Sequence, residues 1–310
     1  MLSTWLTQRF GISVPVVSAP MAGVSGGALA GAVSAAGALG TIGFAAGTPE
    51  QLTAEIDTAA APGKPWGIGF LAWLMPRVEE LLDLALERKP ALVSLSYGDY
   101  APYVDRIKKA GAVAVTQCGT LDDAKAAIDA GVDAIVVRGG EAGGHGRDLV
   151  ATLPLLQAVL EDIDDVPVIA AGGIATARGV AAVLAAGAAG AWVGSAFLAC
   201  DEGANDDSAR EAVVAAGMTD TIYTTVLDIG RGIPWPAEFG GRAISNDYAE
   251  TWHGREEELR ANPVRSDDPT VWAGQVVGLV RARRPAAEVV ADLAGAEALL
   301  AKVCGSVTPG

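Results

Sequence analysis

The sequence has little of what disulfide scaffolds and metal sites require. Of its 310 residues only three are cysteines, which lie far apart without a CxxC pair, and only two are histidines, without an HExxH motif. An odd number of separated cysteines is typical of reduced thiols rather than of a disulfide framework. We therefore expect no disulfide, and no metal site.

Positive charge is also scarce. The chain has 22 Lys and Arg residues against 37 Asp and Glu residues, and its formal net charge is -15. Binding to nucleic acid or to an anionic membrane surface depends on clustered basic residues, and no basic run occurs. We therefore expect neither a nucleic-acid partner nor a membrane partner.

Charge of either sign is absent between Arg9 and Glu50, a window long enough to resemble a membrane span. The window is mostly Ala, Gly and Ser and is broken by prolines, which predicts short buried elements instead of one helix in lipid. The opening segment MLSTWLTQRF has no basic stretch ahead of an apolar one, as a secretory signal would have. These features predict a cytoplasmic protein.

What the sequence has in abundance is a repeat of one short apolar strand followed by room for a helix. Eight such strands are predicted: Val14–Ser18, Leu39–Gly43, Trp66–Leu71, Ala91–Ser96, Ala112–Gln117, Ala134–Arg138, Pro167–Ala171 and Ala191–Gly194. Strands that are apolar throughout indicate a parallel sheet covered by helices, and eight units close into a barrel. We expect an α/β fold, a (βα)8 TIM barrel. The alternative is an open doubly wound sheet, but no GxGxxG follows a strand.

The repeat stops after the eighth strand. Residues 201–264 contain an acidic helix-like run, a strand-like TIYTTVLDIG and an arm rich in Pro, Gly and Trp, RGIPWPAEFGG. We interpret them as an inserted, smaller substrate or lid region. Residues 1–200 and 265–310 then form the barrel, which ends in the segments TVWAGQVVGLVR and PAAEVVADLAGAEALL, both of helical period.

Two neighbouring strand ends have the composition of a phosphate site. The seventh strand ends in AAGGIATARG, with Gly172 and Gly173, and the eighth ends in WVGSAF, with Gly194 and Ser195. Glycines let backbone N–H groups approach an anion, and TIM barrels often bind phosphate after strands 7 and 8. The alternative is that these glycines only form tight turns.

Other strand ends supply small or hydrogen-bonding groups at the same rim. Pro20, Met21 and Ala22 follow the first strand and would let a flat ring lie against the backbone. Ser96 and Gln117 end the fourth and fifth strands and offer partners for a ring edge. Either of these two polar residues alone could simply cap its strand.

The loop after the sixth strand, within VRGGEAGGHGR at 137–147, carries one of the two histidines, His145. Its glycines, Gly144 among them, would let the backbone approach a bound ring and leave the imidazole as a general base near the substrate. The alternative is a loop histidine that only bonds its neighbours. Glu141 could orient the imidazole or cap the loop, and Arg147 could bind an anionic substrate or pair with Asp148. His253, in a charged run, is predicted to lie at the surface.

PMAGVSGG, EAGGHGR, AAGGIATARG, WVGSAF and WAGQVVGLVR together resemble the nitronate monooxygenase family, formerly called 2-nitropropane dioxygenases. The resemblance implies a TIM-type barrel that binds FMN without covalent attachment and oxidises alkyl nitronates with O2 to a carbonyl compound and nitrite. The implied partners are a small nitronate or nitroalkane and O2, with a homodimer left open.

The resemblance also implies residue roles. Met21 and Ala22 would lie along the flavin, Gln117 would contact it, and Gln275 would be a flavin neighbour. The phosphate would be held by Gly172, Gly173, Gly194 and Ser195. His145 matches the family's active-site histidine, which acts as the base for neutral nitroalkanes and contacts nitronates.

One departure from the family pattern lies in the third strand, WGIGFL, where Gly69 stands in place of the usual Asn. It removes an amide that could bond the flavin ring and leaves the substrate open. Two alternatives therefore remain: an FMN-dependent enoyl-acyl carrier protein reductase that uses NAD(P)H, and a flavin-binding barrel without catalytic activity.

Overall fold

A computed structural model describes residues 2–306 of the chain. Its strands, in chain order, are β1 Val16–Ser18, β2 Gly40–Gly43, β3 Trp66–Leu71, β4 Leu92–Ser96, β5 Val113–Cys118, β6 Ala134–Arg138, β7 Gly144–Gly146, β8 Val168–Ala171, β9 Gly190–Val193, β10 Thr221–Thr224 and β11 Gly240–Ile244.

The α-helices are α1 Trp5–Phe10, α2 Gly27–Ala35, α3 Pro49–Ala60, α4 Met75–Glu87, α5 Ala101–Lys109, α6 Leu121–Asp129, α7 Thr152–Asp162, α8 Ala177–Ala185, α9 Asp207–Ala215, α10 Val226–Arg231, α11 Asp247–Trp252, α12 Glu256–Ala261, α13 Ala286–Ala294 and α14 Ala296–Ser306. Short 3-10 segments span Ala72–Leu74, Ser195–Phe197 and Gln275–Leu279.

Eight of the strands form one parallel sheet in the order β1-β9-β8-β6-β5-β4-β3-β2. A bridge between Val17 and Leu39 joins β1 to β2, so the sheet closes on itself. The predicted TIM barrel is confirmed, and each predicted strand lies within two residues of an observed one. The uncharged window after Arg9 folds into β1, α2 and β2. No helix within residues 2–306 is both long and apolar enough to cross a membrane.

Side-chain alternation gives the barrel an apolar floor and a polar top. Leu92, Val113, Val115, Ala134 and Val136 point inward and pack on α1, which closes the amino-terminal end of the barrel. At the carboxyl end, the same inward-facing positions are occupied by polar residues: Ser96 on β4, Gln117 on β5 and Arg138 on β6. Because strand residues alternate faces, this polar layer faces whatever the barrel top binds.

The segment after β9 adds a second, smaller sheet. β10 and β11 pair antiparallel, and β11 also pairs antiparallel with β7, which comes from the loop after β6. A small core beneath this sheet contains Val226, Leu227, Ala243, Tyr248 and Leu259. The loop that carries His145 is therefore part of the sheet built by the inserted residues, which the sequence analysis did not predict.

Two of the predicted local structures are wrong. The strand-like run at 221–230 is a strand only to Thr224, and Val226–Arg231 is helix α10. The run at 270–281 was expected to be helical but forms only the 3-10 segment Gln275–Leu279. Gly274 and Gly278 disfavour a longer helix, and both lie where a side chain would overlap neighbouring backbone.

Candidate active site

A cavity of about 440 Å³ opens at the carboxyl ends of the barrel strands. Its wall includes ten of the residues selected from the sequence: Pro20, Met21, Ala22, Gln117, Gly144, His145, Gly172, Gly173, Gly194 and Ser195. The cavity therefore brings together segments that are distant in sequence, at the rim where TIM barrels carry their sites.

Gln275, predicted to neighbour a flavin, does not line this cavity. Its side chain is exposed, and its backbone N–H donates to the carbonyl of Glu141 at 3.0 Å. Gly274 and Val276 on either side do line the cavity. The segment therefore reaches the cavity through Gly274 and Val276, while Gln275 itself is exposed.

The glycines after β8 and β9 form a cradle of backbone donors. Gly172 and Gly173 have φ values of 108° and 68°, which favour glycine. No described residue accepts a hydrogen bond from the N–H of Gly172, Gly173 or Gly194. The Ser195 hydroxyl accepts from Gly274 N at 2.9 Å and keeps its own proton to donate. Unpaired donors around a cavity wall suit a phosphate group.

Arg138 places a buried positive charge beside the cavity. Arg138 is only 3% exposed, and its Nη2 donates to the carbonyls of Ala142, Gly143 and Gly144. Nη1 has no partner among the described residues, and none of their carboxylates forms an ion pair with Arg138. Burial lowers the pKa of this guanidinium from its usual value. Such an uncompensated cation favours an anionic ligand or an anionic form of one.

His145 sits in β7, opposite Gly241 of β11. Its Nε2 lies 2.9 Å and 3.1 Å from the carboxylate oxygens of Asp228, which α10 supplies from the inserted segment. The Trp235 ring stacks on the imidazole at 3.6 Å between centroids and 7° between planes, and Trp272 lies at 4.4 Å. The imidazole is thereby held on three sides.

These surroundings set the protonation of His145. Burial lowers the pKa of His145 from its usual value, and the hydrogen bond and charge of Asp228 oppose that shift. The positive charges of Arg138 and Arg231 lower the pKa further. The net shift favours the neutral imidazole, which is the form able to accept a proton.

Glu141 does not orient the imidazole, and Arg147 does not pair with Asp148. Both carboxylate oxygens of Glu141 accept from Thr152 N at 3.1 Å, so Glu141 caps the start of α7, where the helix dipole favours an anion. Arg147 Nε donates to Asp123 at 3.0 Å, and Asp148 accepts instead from Arg242. His253 is exposed, as predicted.

The structure explains Gly69, the departure from the family pattern. A β-carbon at position 69 would lie 2.5 Å from Pro20 Cβ and closer still to its Cγ. Both residues line the cavity. Pro20 therefore occupies the space that a larger residue at 69 would need.

Aromatic side chains also line the cavity: Trp73 and Tyr97, which were not selected from the sequence, and Trp235, which lies in the arm RGIPWPAEFGG. The centroid of the Trp235 ring lies 5.5 Å from those of both Trp73 and Tyr97, and the Phe239 centroid lies 5.3 Å from that of Tyr97. Tyr97 has a φ of 68°, uncommon for a non-glycine residue and often found at functional sites. Burial raises the pKa of its hydroxyl.

Only one of the missed residues had a local signal. Arg138 could have been found, since it is a charged residue at an inward position of an apolar strand. Asp228 is 83 residues from His145 in sequence, and no motif connects them.

The chain matches the family model of nitronate monooxygenase over residues 3–79 and 75–295. The chain belongs to this family. A nitronate monooxygenase from Paraburkholderia phytofirmans is 32% identical over 93% of both chains. This membership makes the protein an enzyme of the oxidoreductase class.

A second curated relative carries a different name. The (3aS,4S,5R,7aS)-5-hydroxy-7a-methyl-1-oxo-octahydro-1H-indene-4-carboxyl-CoA dehydrogenase of Rhodococcus jostii is 35% identical over 73% of this chain and 64% of its own. Among solved structures, FabK from Thermotoga maritima superimposes with a TM-score of 0.85 at 27% identity over 99% of this chain and 100% of its own. Nitroalkane oxidase from Streptomyces ansochromogenes gives 0.79 at 28% identity, over 96% and 99%.

Proposed function

We propose that this member of the family oxidises alkyl nitronates with O2 to a carbonyl compound and nitrite, with FMN as its cofactor, and that it also accepts neutral nitroalkanes. The observation that carries the proposal is the His145 imidazole, its side chain only 10% exposed and held by Asp228 and Trp235, in the wall of a cavity that also holds the glycine donor cradle. Family membership and the likeness to a nitroalkane oxidase support the same chemistry.

The residues present fit a phosphorylated flavin. The family is flavin-dependent, and the cavity of about 440 Å³ lies in the usual range for a cofactor site. Gly172, Gly173, Gly194 and Ser195 would hold the phosphate through neutral donors. Met21 and Ala22 would lie along the ring, and Gln117 would bond its edge. When bound, FMN supplies the removal of electrons from the nitronate and their transfer to O2.

The chain's own residues bind, orient and move a proton. For a neutral nitroalkane, His145 takes the proton from the α-carbon, and the electron pair of that C–H bond moves onto the nitro group, giving the nitronate. For a nitronate no proton needs to be removed, and His145 serves as a contact. Trp73, Tyr97 and Trp235 exclude water from above, which strengthens the electrostatic interactions beneath them.

The test is nitrite release by FMN-loaded protein from propionate 3-nitronate and from nitroethane, with His145→Ala alongside. We expect wild type to release nitrite from both. We expect His145→Ala to bind FMN but to lose about 10²–10⁴-fold of its activity on nitroethane, the usual contribution of a general base, and much less on the nitronate. Absence of nitrite from every nitronate tested would disprove the proposal.

A second candidate function is an FMN-dependent enoyl-thioester reductase that uses NAD(P)H. The likeness to FabK, with its TM-score of 0.85, favours it, as does the relative named for a carboxyl-CoA substrate. Rapid bleaching of the flavin by NADPH under argon, without bleaching by a nitronate, would select this candidate. Failure of both reductants to bleach the flavin would contradict both candidate functions.

Three further expectations stay predictions: the cytoplasmic location, the homodimer, and the division into a barrel and a lid at residues 201–264. The predicted boundaries at residue 1 and at 307–310 lie outside the described residues.

A further inference from the structure

The feature to which the proposed function gives no chemical role is Asp228. Asp228 is only 3% exposed, lies on helix α10 of the inserted segment and lines the cavity. Within residues 2–306 its side chain hydrogen-bonds Nε2 of His145, which both carboxylate oxygens approach within 3.1 Å. A buried carboxylate is costly unless it is paired, so its contact with the imidazole is the one that holds it there.

We propose that Asp228 is a positioning residue for His145: its carboxylate keeps a proton on Nε2 and leaves Nδ1 as the basic atom toward the cavity. An ionised carboxylate can only accept a hydrogen bond, so Nε2 must donate. Nδ1 has no hydrogen-bond partner among residues 2–306. This inference rests on the proposed function only in naming a nitroalkane as the substrate that gives its proton to His145.

Packing supports a fixed ring. Trp235 stacks almost parallel on the imidazole, and His145 is held in β7 by pairing with Gly241. A rotation of the ring by half a turn would break both Asp228 contacts and leave the carboxylate buried without a partner. The ring therefore presents Nε2 to Asp228, and Nδ1 is the nitrogen left without a partner among residues 2–306.

Charge completes the role. When Nδ1 takes the α-proton of a nitroalkane, the C–H electron pair goes to the nitro group and the imidazole becomes a cation. Arg138 and Arg231 disfavour that cation, and Asp228 offsets them. Since Asp228 and Trp235 both come from the inserted segment, that segment supplies the partners that make the barrel histidine a base.

The first test reads the proton directly. The chain has only two histidines, so a ¹⁵N-histidine NMR spectrum contains two rings, and His253→Ala identifies the exposed one. In wild type we expect a neutral His145 with the proton on Nε2. In Asp228→Asn, which keeps the size of the side chain, we expect a mixture of tautomers. Wild-type His145 protonated on Nδ1 would overturn the inference, whatever reaction the enzyme catalyses.

The second test is kinetic. We expect Asp228→Asn to lower kcat on nitroethane at least about tenfold and to leave nitronate turnover within about threefold, with a larger isotope effect for α-deuterated nitroethane. Equal losses on both substrates, or no loss on either, would contradict the positioning role. If wild type turned over neither compound, the proposed function would fail while the tautomer result still decided the inference.

Asp148→Asn is the matched control. Asp148 also joins the β6 loop to the inserted sheet, through Arg242 Nη2 at 3.0 Å, but it does not contact His145. We expect this variant to lower stability modestly and to leave both the His145 tautomer and the ratio of nitroethane to nitronate activity as in wild type. A shift in the tautomer of Asp148→Asn like that of Asp228→Asn would assign the effect to sheet integrity instead.

Discussion

At the scale of single residues, the site is built from groups that burial holds in unusual states. Burial lowers the pKa of His145, and Asp228 limits that shift. Arg138 remains a cation without a carboxylate partner. A base and an uncompensated cation on one wall suit a reaction in which a neutral substrate becomes an anion.

The direction of the His145 pKa gives a pH prediction. The base form is the neutral imidazole, and the pKa lies below the usual value of 6.5. Activity on nitroethane should therefore fall as pH decreases through the His145 pKa, where the imidazole becomes protonated. A pH profile of kcat/KM measures this. An acid limb centred above pH 7, or one that persists in His145→Ala, would contradict the assignment.

Gly69 and Pro20 provide a second test at this scale. Gly69→Asn should overlap Pro20 and cost about 1–3 kcal/mol of unfolding free energy, the usual range for overpacking. Pro20→Gly in the same chain should recover most of that loss. Chemical denaturation of both variants and of Pro20→Gly alone measures the coupling. Additive effects would show that the two residues do not compete for space.

At the scale of elements, three segments lock together around the cavity. Residues 270–281 join the loop after β6, because Gln275 N donates to the carbonyl of Glu141. The same residues join the segment after β9, because Gly274 N donates to the Ser195 hydroxyl. A β-carbon on Gly143 would lie 2.6 Å from the carbonyl carbon of Ala273 and closer to Gly274 N. The backbones meet so closely that only glycine fits.

This contact predicts a difference between two adjacent glycines. Gly143→Ala should cost about 1–3 kcal/mol because the segments must move apart. Gly144→Ala, with a φ of 72° but nothing within 4 Å of the added carbon, should cost only about 1–2 kcal/mol of backbone strain. We expect Gly143→Ala to weaken FMN binding through displaced Gly274. Thermal unfolding and FMN titration measure both variants, and a Gly143→Ala variant with wild-type stability and FMN affinity would contradict the close approach.

The elements also show how far the sequence carries. Barrel strands were predictable because they are mostly apolar runs, several of them followed by a glycine or by the N-cap of a helix. Thr120, for example, accepts from Asp123 N at 3.0 Å. The glycine loops proposed to bind phosphate were predictable because they come directly after predicted strands. The pairing of β7 with β11 was not predictable, because GHG has no strand periodicity and its partner lies about a hundred residues away. Asp228 was missed for the same reason.

At the scale of the whole molecule, the barrel and the inserted segment divide the work. The barrel's strand ends supply the glycine cradle and the polar layer, and the inserted segment supplies Asp228 and Trp235. Fold alone would not separate an oxidase from a reductase, since both kinds of relative share it. The reductant that the bound flavin accepts does separate them.

The most direct measurement is the absorbance spectrum of FMN-loaded protein under argon, after addition of propionate 3-nitronate and, in a separate sample, of NADPH. The account predicts that the nitronate alone bleaches the flavin, that NADPH does not, and that admitting O2 restores the spectrum with release of nitrite. Bleaching by NADPH and not by the nitronate, or a protein that binds no FMN, would contradict it.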